Sequence, residues 1–106
     1  MYVNSDNSDM TYKPNLVDTS AVQIPSNLES LIEQLSEQVH ESWAATRIAQ
    51  GWSYGPSRDD ATLQHPGLVP YDALSESEKD VDRATVVTTI KLMLHFGYEI
   101  SQSDDD

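Results

Sequence analysis

Two aromatic residues and three arginines in the middle of the chain are the side chains best suited to bind a ligand. Trp52 and Tyr54 are separated by one residue, and in an extended segment such side chains point to the same side. Both rings can therefore line one surface, on which a purine base can stack. Arg58, with Arg47 or Arg83 as further candidates, can then pair with a phosphate through two parallel hydrogen bonds. The predicted ligand-binding residues of this nucleotide-type pocket are Trp52, Tyr54, Arg58, Arg47, His65, Tyr71 and Arg83.

The same residues also fit a purely structural role, which the sequence leaves open. The rings of Trp52, Tyr54 and Tyr71 can close the end of a helical hairpin, while Arg47 and Arg58 form ion pairs with acids. The candidate acidic partners are Asp59, Asp60 and Asp82. In that case the loop holds the fold together and binds nothing.

Catalytic and metal chemistry are weaker interpretations of this stretch. His65 can pair with the neighbouring carboxylates of Asp59–Asp60, and Ser53 or Ser57 can be considered as a nucleophile. No glycine-rich phosphate loop or recognisable catalytic spacing accompanies them. His40 and His65 match no established metal-ligand spacing, and the absence of cysteine excludes thiolate sites. We therefore expect no enzyme, no cofactor and no metal site.

Charge and hydropathy bound the class of protein. The 106 residues carry 18 acidic and 6 basic side chains, a formal net charge of −12, and suffice for one domain. A field of that sign repels nucleic-acid backbones and anionic membranes. No run approaches the ~18 apolar residues of a membrane span, and the start is not a signal peptide. We expect a cytoplasmic protein with neither nucleic acid nor membrane as a partner.

Four glutamates follow one another at four-residue intervals in the first half of the chain. Glu29, Glu33, Glu37 and Glu41 therefore fall on one stripe of a helix. Carboxylates so arranged cannot wrap a calcium ion as a loop does. The stripe predicts a solvated outer helix face rather than a cation site.

The first helix is predicted over residues 27–50. Apolar residues recur there on three- and four-residue steps, which is typical of an amphipathic helix. Ser26–Glu29 fits a capping box at its start, and Gly51 can end it in the left-handed conformation. His40 lies beside the apolar stripe, which favours a hydrogen-bonded interior or boundary histidine over a ligand or base.

The second helix is predicted from a capping box at Ser75–Glu78 to a stop at Gly97. Its β-branched run, Thr85–Ile90, taken alone favours a strand. The helix signals at both ends and the length of the segment outweigh that preference. Between the helices we expect an ordered loop over 51–74, with a short turn or ribbon near 68–71.

The outer parts of the chain differ from this helical region. Residues 1–11 are polar and are predicted to be disordered, residues 12–25 form an extended apolar arm, and residues 101–106 are an acidic tail. A two-helix hairpin within 12–100 buries too little apolar area to be comfortably stable alone. We therefore expect a homodimer with four helices, in which each arm wraps its own or the neighbouring chain.

One family shares the residues of the loop and of the helix ends beside it. The matching residues are His40–Ala44, Arg47–Ile48, Gly51–Pro56, Arg58–Asp60, His65–Pro66, Leu68–Tyr71, Leu74, Glu78–Lys79, Asp82–Arg83, Thr89–Lys91 and Gly97–Tyr98, with Tyr12–Pro14 and Asp18–Ser20 in the arm. In this order they resemble the ryanodine receptor repeat, or RyR domain, over about 12–100, and the arm resembles the stand-alone bacterial members. The resemblance implies a mainly α-helical hairpin that occurs in tandem pairs in calcium-release channels and singly in small bacterial proteins. Channel activity does not carry over, because the family's pore lies elsewhere.

The resemblance also bears on function. It modestly supports a nucleotide-derived ligand, so we predict a non-enzymatic RyR-type binding module that uses the Trp52–Arg58 loop. The single copy leaves pairing to a second chain, and any site built between tandem repeats would need a dimer. The alternative is an assembly module, in which the loop and the arm serve only self-association or docking of another protein.

Overall fold

Two antiparallel helices form the frame of the molecule. The computed structural model describes residues 11–103. Helix α1 spans Glu29–Ala49 and helix α2 spans Glu76–His95. The fold is mainly α-helical, as predicted, whereas nearly all of the predicted N-terminal tail and the last three residues of the acidic tail lie outside the described residues. None of the described helices is both long and apolar enough to cross a membrane.

The start of α1 differs from the prediction. Ser26–Leu28 forms a 3-10 turn, closed by a 2.9 Å hydrogen bond from the Leu28 amide to the Pro25 carbonyl. The residue that caps α1 is then Leu28, which has no side-chain oxygen, and no side chain caps the helix. The predicted capping box of Ser26 and Glu29 is therefore wrong, because the tighter turn places Ser26 inside the helical segment.

The start of α2 confirms the second capping box. The Ser75 hydroxyl accepts a hydrogen bond from the Glu78 amide at 3.2 Å, and the Glu78 carboxylate accepts one from the Ser75 amide at 2.9 Å. Two of the four free amides at the helix start are thereby satisfied. The β-branched run that follows is helical, and the Thr85 and Thr89 hydroxyls donate to carbonyls four residues earlier.

The two serines provide a matched test of these helix starts. Ser75→Ala is expected to lower the free energy of unfolding by about 1 kcal/mol, because the Glu78 amide loses its acceptor. Ser26→Ala is expected to change it by much less, since the Ser26 side chain caps no helix. Urea unfolding followed by circular dichroism measures both. Equal losses would contradict the assignment.

Both helices end at a glycine in the left-handed region. Gly51 has φ +97° and Gly97 has φ +95°, a conformation that side chains other than glycine rarely adopt. The predicted ends at Gly51 and Gly97 are confirmed.

The connecting loop is ordered by a short parallel ribbon. Strand β1 (Ser53–Tyr54) pairs with strand β2 (Gln64–His65), and Tyr71–Ala73 forms a 3-10 turn. A Cβ atom on Gly55 would lie 2.6 Å from the Gln64 Cβ, so only glycine permits this approach. The ribbon predicted near 68–71 is therefore misplaced, whereas the predicted turn overlaps the 3-10 turn at Tyr71.

The core is one layer between the two helices. Leu28, Val86 and Ile90 are buried together, and the half-buried hydrophobic residues packed around them are Ile24, Leu31, Ile32, Leu35, Val39, Leu94 and Ile100. The arm reaches this core only at its end, since Tyr12 and Leu16 remain exposed. Within residues 11–103, no groove covers those two side chains.

Candidate functional site

A row of aromatic rings leads from α1 into the loop. The His40 and Trp43 rings stack with centroids 5.7 Å apart, and Trp43 meets His65 edge-on at 4.9 Å. Trp52 lies 6.3 Å from His65 on the loop side, and Tyr71 lies 6.1 Å from His40. The structure thus brings together three of the predicted site residues, His65, Trp52 and Tyr71, around two residues of α1.

His40 anchors the loop to α1. Its ring is buried, and its Nε2 atom lies 2.7 Å from the Val69 carbonyl oxygen. Because a carbonyl only accepts, Nε2 carries the proton and donates this hydrogen bond. The prediction of a hydrogen-bonded interior histidine is confirmed.

His65 fixes the turn that follows β2. Its Nδ1 atom accepts a 2.8 Å hydrogen bond from the Gly67 amide. A Cβ atom on Gly67 would lie 3.0 Å from the His65 ring and 3.4 Å from the Trp43 ring, so the backbone passes close to both. Both His40 and His65 therefore use one ring nitrogen to hold backbone in place.

A cavity of about 300 Å³ opens between this aromatic row and α2. Its lining residues are His40, Trp43, His65, Gly67, Leu74, Glu78, Val81 and Asp82. Three rings and two aliphatic side chains form most of the wall, and two carboxylates one helical turn apart supply its charge. The cavity can take a flat, mainly apolar group that also donates hydrogen bonds.

Asp82 is the carboxylate that is free to accept such hydrogen bonds. Its side chain is 19% exposed, and its closest basic atom is His40 Nδ1 at 4.0 Å, beyond hydrogen-bond distance. Glu78, by contrast, is committed to the cap of α2, where the hydrogen bond from the Ser75 amide holds the Glu78 pKa below its ordinary value. Within residues 11–103, Asp82 has no hydrogen-bond donor of its own.

Two arginines lie against Trp52. The guanidinium carbon atoms of Arg47 and Arg58 are 5.4 Å and 5.7 Å from the Trp52 ring centroid, within cation–π distance. Arg58 also pairs with Asp60 at 2.8 Å, which lowers the pKa of Asp60, while Arg47 donates to Gln50 at 3.2 Å. A base can therefore stack on the covered parts of Trp52 only after a guanidinium moves aside.

Tyr54 stands apart from this group. Its residue is 58% exposed, and its ring contacts no other aromatic ring of the described chain. Trp52, two positions earlier, is half-buried. Tyr54 therefore lies outside the aromatic row, and the stacking surface that it was predicted to share with Trp52 stays a prediction.

Arg83 and Tyr71 are occupied within the fold. Arg83 makes two hydrogen bonds to Glu33, at 2.8 Å and 2.9 Å, and further ones to Asp80 at 2.8 Å and Glu76 at 3.0 Å. The Tyr71 hydroxyl donates to Glu33 at 2.9 Å. This network joins α1, the loop and α2, so Glu33 has a structural partner although its stripe was predicted to be only solvated.

The Glu33–Arg83 pair predicts a measurable pH dependence. Hydrogen bonds from Arg83 and then Tyr71 lower the pKa of Glu33 from 4.5 to about 2. A carboxyl with a lowered pKa stabilises the fold above its unfolded pKa, and this stability is lost as the pH falls from about 4.5 towards about 2. Arg83→Met should therefore shrink the fall in melting temperature between about pH 5 and about pH 2.

Arg47→Met is the matched control for this pH prediction. Arg47 is the same residue type, but its side-chain hydrogen bond goes to the neutral Gln50. Its replacement should leave the acid limb of the melting profile close to that of the original chain. A profile that Arg83→Met does not alter would contradict the role of the pair.

Sequence reasoning missed part of this cavity. Trp43 was counted among the apolar positions of the first helix, and Asp82 was considered only as an ion-pair partner. The four-residue spacing of Glu78 and Asp82 places both on one face of α2, which is the one signal that pointed to a shared surface. No residue near Gly67 in the sequence indicates that its backbone packs against the Trp43 ring.

Together these features define a class of protein, a helical hairpin whose long connection folds back to form an aromatic-lined cavity against the second helix. No group of three acidic or histidine side chains within residues 11–103 is arranged to hold a metal ion.

Comparison with known families agrees with this architecture. The family model for the RyR domain matches residues 12–102 of the 106-residue chain. The chain belongs to the RyR domain family, as the resemblance of its loop residues predicted.

Proposed function

We propose that the chain is a non-enzymatic binding module that takes a nucleotide-derived small molecule at the loop end of the hairpin. The observation that carries the proposal is the cavity of about 300 Å³ beside the aromatic row, with two guanidinium groups a short distance beyond it. Small-molecule sites are typically concave and apolar with a few placed polar groups.

The cavity suits the base of such a ligand. Trp43 and His65 offer ring surfaces, and Leu74 and Val81 offer aliphatic ones. The Asp82 carboxylate can accept a hydrogen bond from an amino group on the base, which compensates for its partial removal from water. A base with an exocyclic amine therefore fits better than one without.

The two arginines on Trp52 suit the phosphates. The Trp52 and His65 rings are 6.3 Å apart, so this basic pair lies next to the cavity. A phosphate can replace the Asp60 carboxylate on Arg58, because a guanidinium binds either group through the same pair of N–H donors. In a chain with net charge −12, this local pair of positive groups offers a place where an anion can bind.

The histidines support a binding role over a catalytic one. His40 Nε2 is engaged by the Val69 carbonyl, and His65 Nδ1 by the Gly67 amide. Neither ring makes a hydrogen bond to a serine hydroxyl within the described residues. A general base needs such contact with its nucleophile.

Thermal unfolding with and without candidate ligands tests the proposal. The panel comprises adenine nucleotides, ADP-ribose forms and cyclic dinucleotides. A ligand at about 100 times its dissociation constant adds ~2.7 kcal/mol, which moves the midpoint of a domain of this size by several degrees. We expect the shift to be lost in Trp52→Ala and in Asp82→Leu, which removes the acceptor at similar side-chain size.

Ile48→Ala is the control for these variants. Ile48 is exposed and lines no part of the cavity, so its replacement should keep the ligand-induced shift. If no compound in the panel moves the midpoint, the nucleotide proposal fails.

The alternative function is that of a protein–protein assembly module without a small-molecule ligand. The apolar side chains of the arm favour it, since Tyr12 and Leu16 are exposed in the described part of the chain. An assembly module should lose self-association when these residues are replaced, and small molecules should leave its stability unchanged.

A further inference from the structure

The hairpin has a second concave surface that the ligand proposal does not use. A groove of about 350 Å³ runs between the helices, with Leu31, Leu35 and Val39 of α1 on one side and Thr85, Thr89 and Met93 of α2 on the other. No residue of the loop between the helices lines it, whereas Leu28 and Ile100 line its end away from the loop. We call this surface the open face.

The open face carries no charge, although the chain is strongly acidic. None of the described residues that line the groove is acidic or basic. Elsewhere the helices present carboxylates, such as Glu37 and Glu41 on α1 and Glu76 and Asp80 on α2. Two chains with a net charge of −12 repel each other wherever these groups meet. An uncharged face is where two identical chains can approach.

Charge also distinguishes a second copy from a foreign partner. A different protein would gain most by placing basic groups against the carboxylates of this chain, because opposite charges steer and orient association. The open face offers no such complementarity. A two-fold interface instead places the same patch on both sides, and an apolar patch is complementary to itself.

The core shows why the face needs to be covered. Between the helices only Leu28, Val86 and Ile90 are buried among the hydrophobic residues of the described chain. One layer of two helices rarely buries enough apolar area to be stable by itself. Every copy of the chain leaves this apolar area unburied. The partner that covers it must therefore be present wherever the chain folds. Another copy meets that condition.

The dimensions of the face fit a stable dimer. Helices of 21 and 20 residues are each about 30 Å long, and two packed side by side are about 20 Å wide. The area of such a face is of the same order as the ~800 Å² that each partner buries in a stable interface.

We propose that two copies pack their open faces together around a two-fold axis and form a four-helix arrangement. The proposal assigns the interface of the predicted homodimer to Leu31, Leu35, Val39, Thr85, Thr89 and Met93. It is independent of the ligand proposal, because the aromatic cavity shares no lining residue with the open face.

Two charge substitutions at exposed apolar side chains test the assignment. Met93 is 41% exposed on the open face, and Ile48 is 61% exposed away from it. Met93→Glu should weaken dimerisation on the order of 100-fold or more, because each interface would bury two unpaired carboxylates. Ile48→Glu should leave the dimer intact. Sedimentation equilibrium gives the dissociation constants, and circular dichroism checks that both variants remain helical.

Cysteine cross-linking gives a second readout that does not require a destabilised interface. The chain contains no cysteine, so each introduced thiol is unique. Among Thr85→Cys, Thr89→Cys and Met93→Cys, we expect at least one to form a covalent dimer under mild oxidation. Ile48→Cys should remain unlinked.

Three results would overturn the proposal. The first is a chain that stays monomeric over the whole micromolar range. The second is a dimer that Met93→Glu does not weaken. The third is a dimer that is lost in Leu16→Glu while the groove cysteines stay unlinked, which would make the arm of the second copy the occupant instead.

Discussion

Replacing Ile90 by alanine is expected to lower the free energy of unfolding by about 2–5 kcal/mol, the largest stability effect of any single change considered. Ile90 is buried in the cluster with Leu28 and Val86, and its loss leaves a cavity between α1 and α2. A loss of this size is a large part of the whole stability of a small domain. Urea unfolding at one fixed protein concentration measures the change, because the stability of the proposed dimer would depend on concentration.

Val81→Ala is the matched control on the same helix. Val81 is exposed, so truncating it should change the free energy of unfolding by no more than about 0.5 kcal/mol. Similar losses for Ile90→Ala and Val81→Ala would show that the cluster with Leu28 is not the core.

His40→Ala is expected to release the loop while leaving both helices formed. The Val69 carbonyl would lose its donor at 2.7 Å, and the Trp43 and Tyr71 rings would lose the ring between them. A partly buried acceptor left without its donor, together with the space left by the imidazole, costs about 2–4 kcal/mol. Hydrogen exchange followed by mass spectrometry should show faster exchange across residues 52–74.

His95→Ala is the control for this prediction. His95 is an exposed histidine in the last turn of α2 and contacts only the Phe96 ring among aromatic neighbours of the described chain. Its replacement should leave exchange in the loop unchanged. If His40→Ala also leaves the loop unchanged, the hydrogen bond to Val69 does not hold the loop on α1.

Because His40 lines the cavity, its replacement should also abolish any ligand-induced shift in melting temperature.

The parts of the fold that could be predicted depend on contacts between near neighbours in the sequence. The cap of α2 needs only Ser75 and Glu78, and each helix end needs one glycine with a positive φ. The β-branched run of α2 was assigned correctly because these end signals outweighed its strand preference. Such features are encoded within a few residues and need no knowledge of the rest of the chain.

The parts that were missed depend on distant or competing contacts. Ser26 and Glu29 have the right identities for a cap, but Pro25 to Leu28 close a 3-10 turn first. The same limit explains why a phosphate role was predicted for Arg83. Glu33, which engages it, lies 50 residues away in the sequence.

The candidate site was limited in the same way. The loop was recognised as the place of interest, and Trp52, Arg47, Arg58 and His65 do meet there. The cavity itself arises because the loop folds back onto α1 and faces α2, which no sequence spacing records.

The start of α1 and the end of α2 lie close together, and this geometry has a mechanical consequence. Leu28, at the start of α1, and Ile100, just beyond α2, line the same cavity at the end opposite the loop. A pulling force applied between the two ends therefore peels the helices apart one turn at a time instead of sliding them past each other. The contacts of Leu28 and Ile100 break first under such a load, and the aromatic row beside His40 and Trp43 is reached last.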